Sequence, residues 1–336
     1  MVNATAQLPR RADVEAAAAW LTSRVVRTPV VRSAALDRIA GAALWLKAEN
    51  LQSTGSYKFR GAMLAVDRIA RVGDCSGVIA QSTGNHGLAV ATAAQAYRLA
   101  ATVVLPVDAP LTKVSRIEAA GARVVRAGTT VAERLAVVER LRLASGYRIV
   151  DAYDHPDVIA GQGSATLELI DEARRHGVAL DAVVVPVGGG GGVAGACLAA
   201  EGHGTAVYGV EPVGCDSLGR SIDSGRRVTV PPAPTLADGL RPSCVGHLPF
   251  RIAYGSIAGV VRVDDRSIAR ALCLALFHTA LLLEPSAAAG LAGAFRIAAA
   301  GAFGQIGVVL TGGNAEPAVL ARLLADHVAA EERTVL

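Results

Sequence analysis

Five consecutive glycines, Gly188–Gly192, follow the apolar run Ala182–Val187 without a polar spacer. Each glycine loses about 1 kcal/mol of conformational preference relative to alanine, so such a run needs a physical reason. A flexible linker is one explanation, but linkers seldom follow a core strand directly. The other explanation is a loop whose backbone N–H groups wrap a phosphate at the start of a helix. The feature therefore predicts a buried strand, a phosphate-binding loop and a helix in succession.

Strand-like and helix-like segments alternate along most of the chain. The strand-like segments are Ala42–Lys47, Gly77–Gln81, Ala101–Pro106, Ala122–Val125, Ala182–Val187, Val207–Val210 and Ile306–Leu310. The helix-like segments are Phe59–Arg71, Asn85–Tyr97, Lys113–Ala120, Val131–Ser145 and a helix that begins near Val193. This alternation predicts an α/β fold with parallel sheets flanked by helices, in which ligands bind beyond the carboxyl ends of the strands.

Charge and cysteine patterns exclude several classes of protein. The net charge is only +4 and no basic run stands out, so we expect no nucleic-acid partner. The apolar run Ala271–Leu283 is too short to span a bilayer, and the charged N-terminal segment does not resemble a signal peptide. The five cysteines are widely spaced and form no CxxC motif, which indicates free thiols in a reducing compartment. We therefore expect a cytoplasmic protein with no membrane partner.

Lysine is rare, since Lys47, Lys58 and Lys113 are the only three in the chain. Lys58 follows the loop that begins at Ser53 and stands where a helix is predicted to start. The positive end of the helix dipole disfavours a protonated amine there, and a lysine with a lowered pKa is a nucleophile for aldehydes. A surface lysine beside a helix cap is the alternative interpretation.

Two further loops follow predicted strands. Ser82–Gly87 leads into a helix, and its free backbone N–H groups could bind a carboxylate, although simple helix capping explains the same residues. Thr311–Asn314 follows the last strand, where a short hydroxyl could contact a ring nitrogen. A plain glycine turn is the alternative there.

The glycine run also allows a different enzyme class. Gly190, Gly192 and Gly195 match the spacing of a dinucleotide-binding fingerprint, and Glu211 ends the next strand-like run. An acid at that distance is where a ribose-binding residue would lie. A nicotinamide-dependent dehydrogenase is therefore a competing hypothesis.

Taken together, these loops resemble the pyridoxal-phosphate enzymes of the tryptophan synthase β fold, called fold type II. The likeness is greatest to serine/threonine dehydratases, hydroxyectoine-type dehydratases and serine racemases. It rests on TGSYKFRGA at 54–62, STGNHG at 82–87, DHPDVIAGQG at 154–163, PVGGGG at 186–191 and TGGN at 311–314, in that order. The ordered set is more specific than the glycine fingerprint alone, so we rank the dehydrogenase lower.

The resemblance implies a role for each of a set of residues. The residues implied to bind pyridoxal 5′-phosphate are Lys58, which would carry it covalently, Tyr57, Asn85, Gly188, Gly189, Gly190, Gly191 and Thr311. The residues implied to bind the substrate are Ser82, Thr83, His86, Arg134 and Gly239. Thr83 is in addition a candidate catalytic residue, because relatives that racemise have a serine hydroxyl at its position.

The implied reaction is β-elimination from a β-hydroxy amino acid such as L-threonine or L-serine, giving a keto acid and ammonia. A neutral hydroxyl at Thr311 leaves the cofactor ring a weaker electron sink than an aspartate would, which favours prompt loss of a β leaving group. Amino-acid racemisation on the same fold is the main alternative, and a cofactor-free binding protein is a third. The β-branch of Thr83 restricts how its hydroxyl can be aimed, so we expect elimination to dominate.

The resemblance also implies an organisation for the chain. We expect a large cofactor-binding domain formed by residues 1–75 and 151–336, a small mobile substrate-side domain of residues 76–150, and no regulatory domain. We further expect a homodimer. Several relatives bind a metal at a Glu-Pro-x-x-x-Asp-Asp stretch, but here Ser217 replaces the second aspartate after Glu211 and Asp216. A divalent cation needs several hard oxygen ligands, so we expect no metal.

Overall fold

The computed structural model describes residues 8–82, 84–231 and 233–335, with side chains up to residue 329. Its strands are β1 Val30–Val31, β2 Ala43–Ala48, β3 Gly77–Gln81, β4 Ala100–Leu105, β5 Arg123–Arg126, β6 Arg148–Ile149, β7 Ala182–Pro186, β8 Ala206–Pro212, β9 Gly259–Val263 and β10 Gln305–Leu310. Its helices are α1 Arg11–Leu21, α2 Ala34–Ala40, α3 Lys58–Val72, α4 Asn85–Ala96, α5 Leu111–Ala119, α6 Val131–Ser145, α7 Pro156–Arg175, α8 Gly191–Ala200, α9 Ser217–Ser224, α10 His247–Ala253, α11 Asp265–Thr279, α12 Pro285–Ala299 and α13 Pro317–Val335.

The strands form two sheets. The larger has the order β1-β2-β10-β7-β8-β9 and the smaller the order β5-β4-β3-β6. All neighbouring strands are parallel except β1 and β2. The α/β prediction, with parallel-rich sheets flanked by helices, is therefore confirmed.

Both faces of the larger sheet are buried, as its continuous apolar strands predict. On one face Leu44 and Val308 pack with helices α11 and α12, and on the other Trp45 and Val183 pack with α7 and α8. The smaller sheet, residues 77–149, has its own core, to which α3 and α4 contribute. The two sheets fall within the two expected domains, whose boundaries stay a prediction.

The register of the larger sheet brings its functional loops together. Leu310 of β10 lies beside Ala48 of β2, and Ile306 of β10 pairs with Ala182 of β7. The carboxyl ends of these three strands therefore coincide at one edge. The segments that follow them are 49–58, 311–314 and the glycine run.

A buried charge network lies beneath the start of α3. The guanidinium of Arg60 donates to both oxygens of Glu49, each at 2.8 Å, and to both oxygens of Glu168, each at 2.9 Å. Lys47 donates to Glu168 at 2.6 Å. Two cations and two carboxylates thus balance one another inside the protein, which is the condition under which charges are tolerated there. Among the described residues, no helix is both long and apolar enough to cross a membrane.

Candidate active site

Main-chain hydrogen bonds hold the lysine loop against the end of β10. The N–H of Tyr57 donates to the carbonyl of Thr311 at 3.0 Å, and the N–H of Gly313 donates to the carbonyl of Gly55 at 2.9 Å. Lys58 is then the first residue of α3, and its Nζ donates to the carbonyl of Ala152 at 2.8 Å. The lysine is therefore placed at the sheet edge by backbone contacts.

The pKa of Lys58 is lowered to about 8, chiefly because burial penalises the ammonium form. The charges of Asp151 and Glu284 act in the opposite direction. The direction of the shift agrees with the sequence-based expectation, but its main cause is burial rather than the helix dipole. A lysine in this state has a usable fraction of free amine at neutral pH.

The glycine run presents a row of free donors. The N–H groups of residues 188–193 have no hydrogen-bond acceptor among the described residues, and all but the first of these residues are buried. Gly190 has φ of +91°, a backbone conformation that favours glycine, and α8 begins at the next residue. Buried N–H groups without partners are costly, so this loop is built for an anion at a helix N-terminus.

Close packing explains the glycine at position 189. A Cβ there would lie 2.1 Å from the ring of Tyr153. The segment 151–155 therefore lies directly against the loop, and it also supplies the carbonyl of Ala152 to Lys58. The ordered donors and the free amine together fit a phosphorylated aldehyde.

Asn85 belongs to a chain of buried polar contacts. Its Nδ2 donates to Glu284, at 2.8 Å to one carboxyl oxygen and 3.0 Å to the other, while its Oδ1 accepts from Asn314 at 2.8 Å. Burial raises the pKa of Glu284 to about 7, and the hydrogen bond from Asn85 acts against that rise. Sequence reasoning missed Glu284. The signal for it was a lone acid after the apolar run that ends at Leu283, directly before a helix-starting proline.

The second loop presents donors of its own. The hydroxyl of Ser82 accepts from the N–H of Gly84 at 3.0 Å and from the N–H of Gly87 at 2.9 Å, so Ser82 caps α4. No described residue accepts from the N–H groups of Asn85 and His86. These two donors are available for a carboxylate. Thr83 lies outside the described residues.

The side chain of His86 is already engaged. Its Nε2 donates to the carbonyl of Val150 at 2.9 Å, and its Nδ1 has no partner among the described residues. Burial lowers the pKa of this imidazole to about 3, so the ring is neutral and Nδ1 is an acceptor. His86 can therefore meet a carboxylate with its backbone N–H but not with its ring.

The remaining predicted residues divide into two groups. Thr311 is buried directly after β10. The carbonyl of Gly239 lies close to the glycine run, since a Cβ built at Gly188 would be 2.8 Å from its oxygen. Arg134 is buried on α6, where its guanidinium donates to the carbonyl of Thr129 and its Nε has no partner in the described part of the chain. The contacts of Arg134 thus lie within the smaller sheet's layer, and its role at the substrate stays a prediction.

The stretch that resembles a metal site has other partners. Glu211 accepts from the N–H groups of Leu218 at 2.8 Å and Gly219 at 2.9 Å, at the start of α9. Asp216 is paired with Arg262 at 2.7 Å and Arg220 at 3.0 Å. Among the described residues, no group of three or more His, Cys, Asp or Glu side chains could hold a metal ion. Both carboxylates of this stretch are therefore engaged by other groups of the protein.

Comparison with known proteins decides between the cofactors that the glycine run allowed. The family described as pyridoxal-phosphate dependent enzyme matches residues 21–312. The chain belongs to this family. Its cofactor is therefore pyridoxal phosphate, and the dehydrogenase hypothesis is wrong.

Relatives and solved structures agree with this assignment. The chain is 35% identical to an L-threo-3-hydroxyaspartate ammonia-lyase from Saccharomyces cerevisiae, over 92% of this chain and 94% of the relative. It is 33% identical to a serine racemase from Dictyostelium discoideum, over 93% of this chain and 97% of the relative. The crystal structure of a threonine deaminase from T.th. matches with a TM-score of 0.86 and 38% identity, covering 92% of this chain and 99% of that one. The fold is that of the fold type II enzymes, as expected.

Proposed function

We propose that this protein catalyses β-elimination from a β-hydroxy amino acid, releasing a 2-keto acid and ammonia. The observation that carries the proposal is that Lys58 and the free donors of residues 188–193 border the same segment, Lys58 at the carbonyl of Ala152 and the glycine run at Tyr153. The names of relatives support the class of substrate, because they include ammonia-lyases for L-threo-3-hydroxyaspartate and L-threonine. Hydroxyaspartate, threonine and serine are the substrates to test.

Each group of the site has a distinct task in this proposal. The donors of residues 188–191 would hold the phosphate, and the side chain of Asn85, which also contacts Glu284 and Asn314, would contact a ring oxygen. The N–H groups of Asn85 and His86 hold the substrate carboxylate. When bound, pyridoxal phosphate makes the α-proton of the substrate acidic.

Lys58 and Thr311 then determine what happens to the α-proton and the leaving group. The Nζ of Lys58 removes the α-proton, because its lowered pKa leaves a fraction of the amine free near neutral pH. Thr311 would present a neutral hydroxyl, rather than a carboxylate, to the ring nitrogen of the cofactor. The ammonium that forms on Lys58 can return its proton to the β-hydroxyl, which then leaves as water. The enamine that is released hydrolyses to keto acid and ammonia.

Borohydride reduction followed by peptide mapping tests the central assignment. We expect the reduced cofactor on Lys58, and a label on Lys47 or Lys113 would overturn it. Lys47 is a suitable internal control, because it is buried in an ion pair with Glu168. Release of ammonia and keto acid from the three candidate substrates tests the reaction. Tryptophan fluorescence during cofactor titration of Gly189→Val tests the loop, and we expect cofactor binding to be lost.

Racemisation is the second candidate, favoured by the 33% identity to a serine racemase. It requires an acid or base on each face of the α-carbon. Lys58 serves one face, and Thr83 is the candidate for the other. Chiral chromatography measures the D-amino acid and a keto-acid assay measures the elimination product, so the two rates can be compared. If D-product forms faster than keto acid, racemisation is the main activity.

The assembly and the domain arrangement complete the proposal. We propose a homodimer in which residues 76–150 form a substrate-side domain that closes on the ligand. Sedimentation velocity tests the dimer. Small-angle scattering with and without a substrate analogue tests the closure.

A further inference from the structure

The side chain of Tyr57 lies across the first turn of α8. A Cβ at Gly192 would be 2.6 Å from its hydroxyl oxygen and 2.9 Å from ring carbon Cε2. No residue with a side chain could occupy position 192 while Tyr57 keeps this orientation. The glycine run is therefore one residue longer than the expected phosphate loop 188–191, and the extra glycine makes room for a phenol.

The hydroxyl of Tyr57 has no hydrogen-bond partner among the described residues. Burial raises the pKa of the phenol, with the charges of Glu284 and Glu49 acting in the same direction. The group is therefore a neutral O–H donor at any physiological pH. Tyr57 is half-buried, so its hydroxyl, which has no protein acceptor among the described residues, is accessible to a ligand that enters the site.

The position of the hydroxyl indicates what that ligand is. It lies against Gly192, whose N–H is one of the six consecutive free donors of residues 188–193. Neutral donors at the N-terminus of a helix favour a dianion such as a phosphate monoester. The ring of Tyr57 is near the lysine as well, with Nζ of Lys58 5.5 Å from its centroid.

We propose that the hydroxyl of Tyr57 donates a hydrogen bond to the phosphate of the cofactor. Tyr57 is then a phosphate-binding residue as well as a surface for the cofactor ring, and Gly192 is the position that permits it. This inference rests on the proposed function in one respect, namely that the phosphate occupies the loop of residues 188–191.

A comparison of two aldehydes separates this role from simple packing. Pyridoxal phosphate and pyridoxal share the ring and the aldehyde but differ in the phosphate. The protein freed of cofactor is titrated with each, for the wild type and for Tyr57→Phe, and binding is followed by absorbance and tryptophan fluorescence. The phenylalanine variant retains the ring, so packing against the cofactor is preserved.

The expected result is selective. A hydrogen bond to a charged group is worth enough that its loss should weaken binding of pyridoxal phosphate about tenfold or more. Pyridoxal should bind both proteins equally. The phosphorus resonance of the bound cofactor should also shift in Tyr57→Phe. An unchanged affinity for pyridoxal phosphate, or equal losses for both aldehydes, would overturn the inference.

Tyr254→Phe is a matched control. Its hydroxyl also packs against a glycine, since a Cβ at Gly225 would lie 3.1 Å from it, but Tyr254 is 54% exposed and stands on another part of the fold. Neither affinity should change in this variant. A loss equal to that of Tyr57→Phe would contradict the proposal.

A pair of variants at position 192 tests the spatial relation directly. Gly192→Ala should weaken binding of pyridoxal phosphate by displacing the phenol, and adding Tyr57→Phe should recover part of the loss. Additive losses would contradict the proposed contact.

An incorrect phosphate loop and an incorrect role for Tyr57 would give different results. If the wild type binds pyridoxal as tightly as pyridoxal phosphate, the phosphate loop itself is wrong. If the wild type prefers the phosphate and Tyr57→Phe keeps that preference in full, only the role of Tyr57 is refuted.

Discussion

Replacing Arg60 with alanine is expected to destabilise the protein more than removal of an arginine from a fully exposed ion pair. The guanidinium is fully buried and donates to Glu49 and Glu168 at 2.8 to 2.9 Å. Its removal leaves Glu49, which is also fully buried, with Lys47 at 4.0 Å as its remaining ionic partner among the described residues. A carboxylate without adequate compensation is then held in the interior.

The size of the effect follows from this geometry. Removal of one member of a buried, hydrogen-bonded ion pair costs about 3–5 kcal/mol. A domain's free energy of unfolding is typically about 5–15 kcal/mol, so the loss is a large fraction of the total. It corresponds to a rise of roughly two to four orders of magnitude in the unfolded population. Arg60→Lys retains the charge but not the planar fork, so we expect an intermediate loss.

Urea unfolding without added cofactor, followed by circular dichroism, measures the change. Arg142→Ala is the control, because Arg142 on α6 pairs with Glu139 at 2.6 Å and both side chains are exposed, 41% and 47%. Solvent screens that pair, and we expect no measurable shift of its midpoint. If Arg60→Ala moves the midpoint no further than Arg142→Ala does, the buried network does not stabilise the fold.

Four further predictions concern the site. The pKa of Lys58 is about 8 rather than 10.5, and only the free amine reacts with the cofactor. The rate of cofactor capture should therefore rise roughly tenfold per pH unit below pH 8 and level off above it. A constant rate from pH 6 to 9 would contradict this. The pKa of Glu284 is about 7, so its carboxyl should lose a proton near that pH. A pH titration of the bound cofactor's absorbance should show a midpoint near 7 that disappears in Glu284→Gln and persists in Asn314→Ser. Treatment with EDTA should alter the rate of ammonia release by less than about twofold, because Ser217 leaves the oxygen cage incomplete; a large loss restored by Mg²⁺ would refute it. Thr83→Ala should leave keto-acid formation the faster reaction, whereas selective loss of a dominant D-product would identify Thr83 as a working base.

Short-range patterns in the sequence predicted the parts of this protein that depend on neighbouring residues. Alternating apolar segments predicted most strands of both sheets, with bounds that differ by a residue or two, such as Ala42–Lys47 against Ala43–Ala48. The glycine run predicted the turn before α8. The strands Val30–Val31, Arg148–Ile149 and Gly259–Val263 were missed. The first two are only two residues long, and such a length carries no periodicity.

Contacts between distant segments could not be predicted in the same way. Asn85 and Glu284 are 199 residues apart, and only the packing of α12 against the sheet edge brings them together. The partners of Glu211 are the N–H groups of α9's first turn, which nothing at position 211 itself reveals. Arg134 was assigned by resemblance alone, and its observed contact is the carbonyl of Thr129.

The main-chain bonds between residues 55–57 and 311–313 have a consequence for how such enzymes diverge. They fix the start of the helix that carries the reactive lysine through main-chain atoms, at 2.9 to 3.0 Å. Substitutions that keep these bonds, the glycines at 55 and 313 and the contact of Asn314 with Thr54 can therefore accumulate without displacing the lysine. Lineages of this fold can exchange one activity for another by small steps, each passing through a protein that still holds its lysine in working position. The ammonia-lyases and racemases among the relatives are the outcome that such a backbone permits.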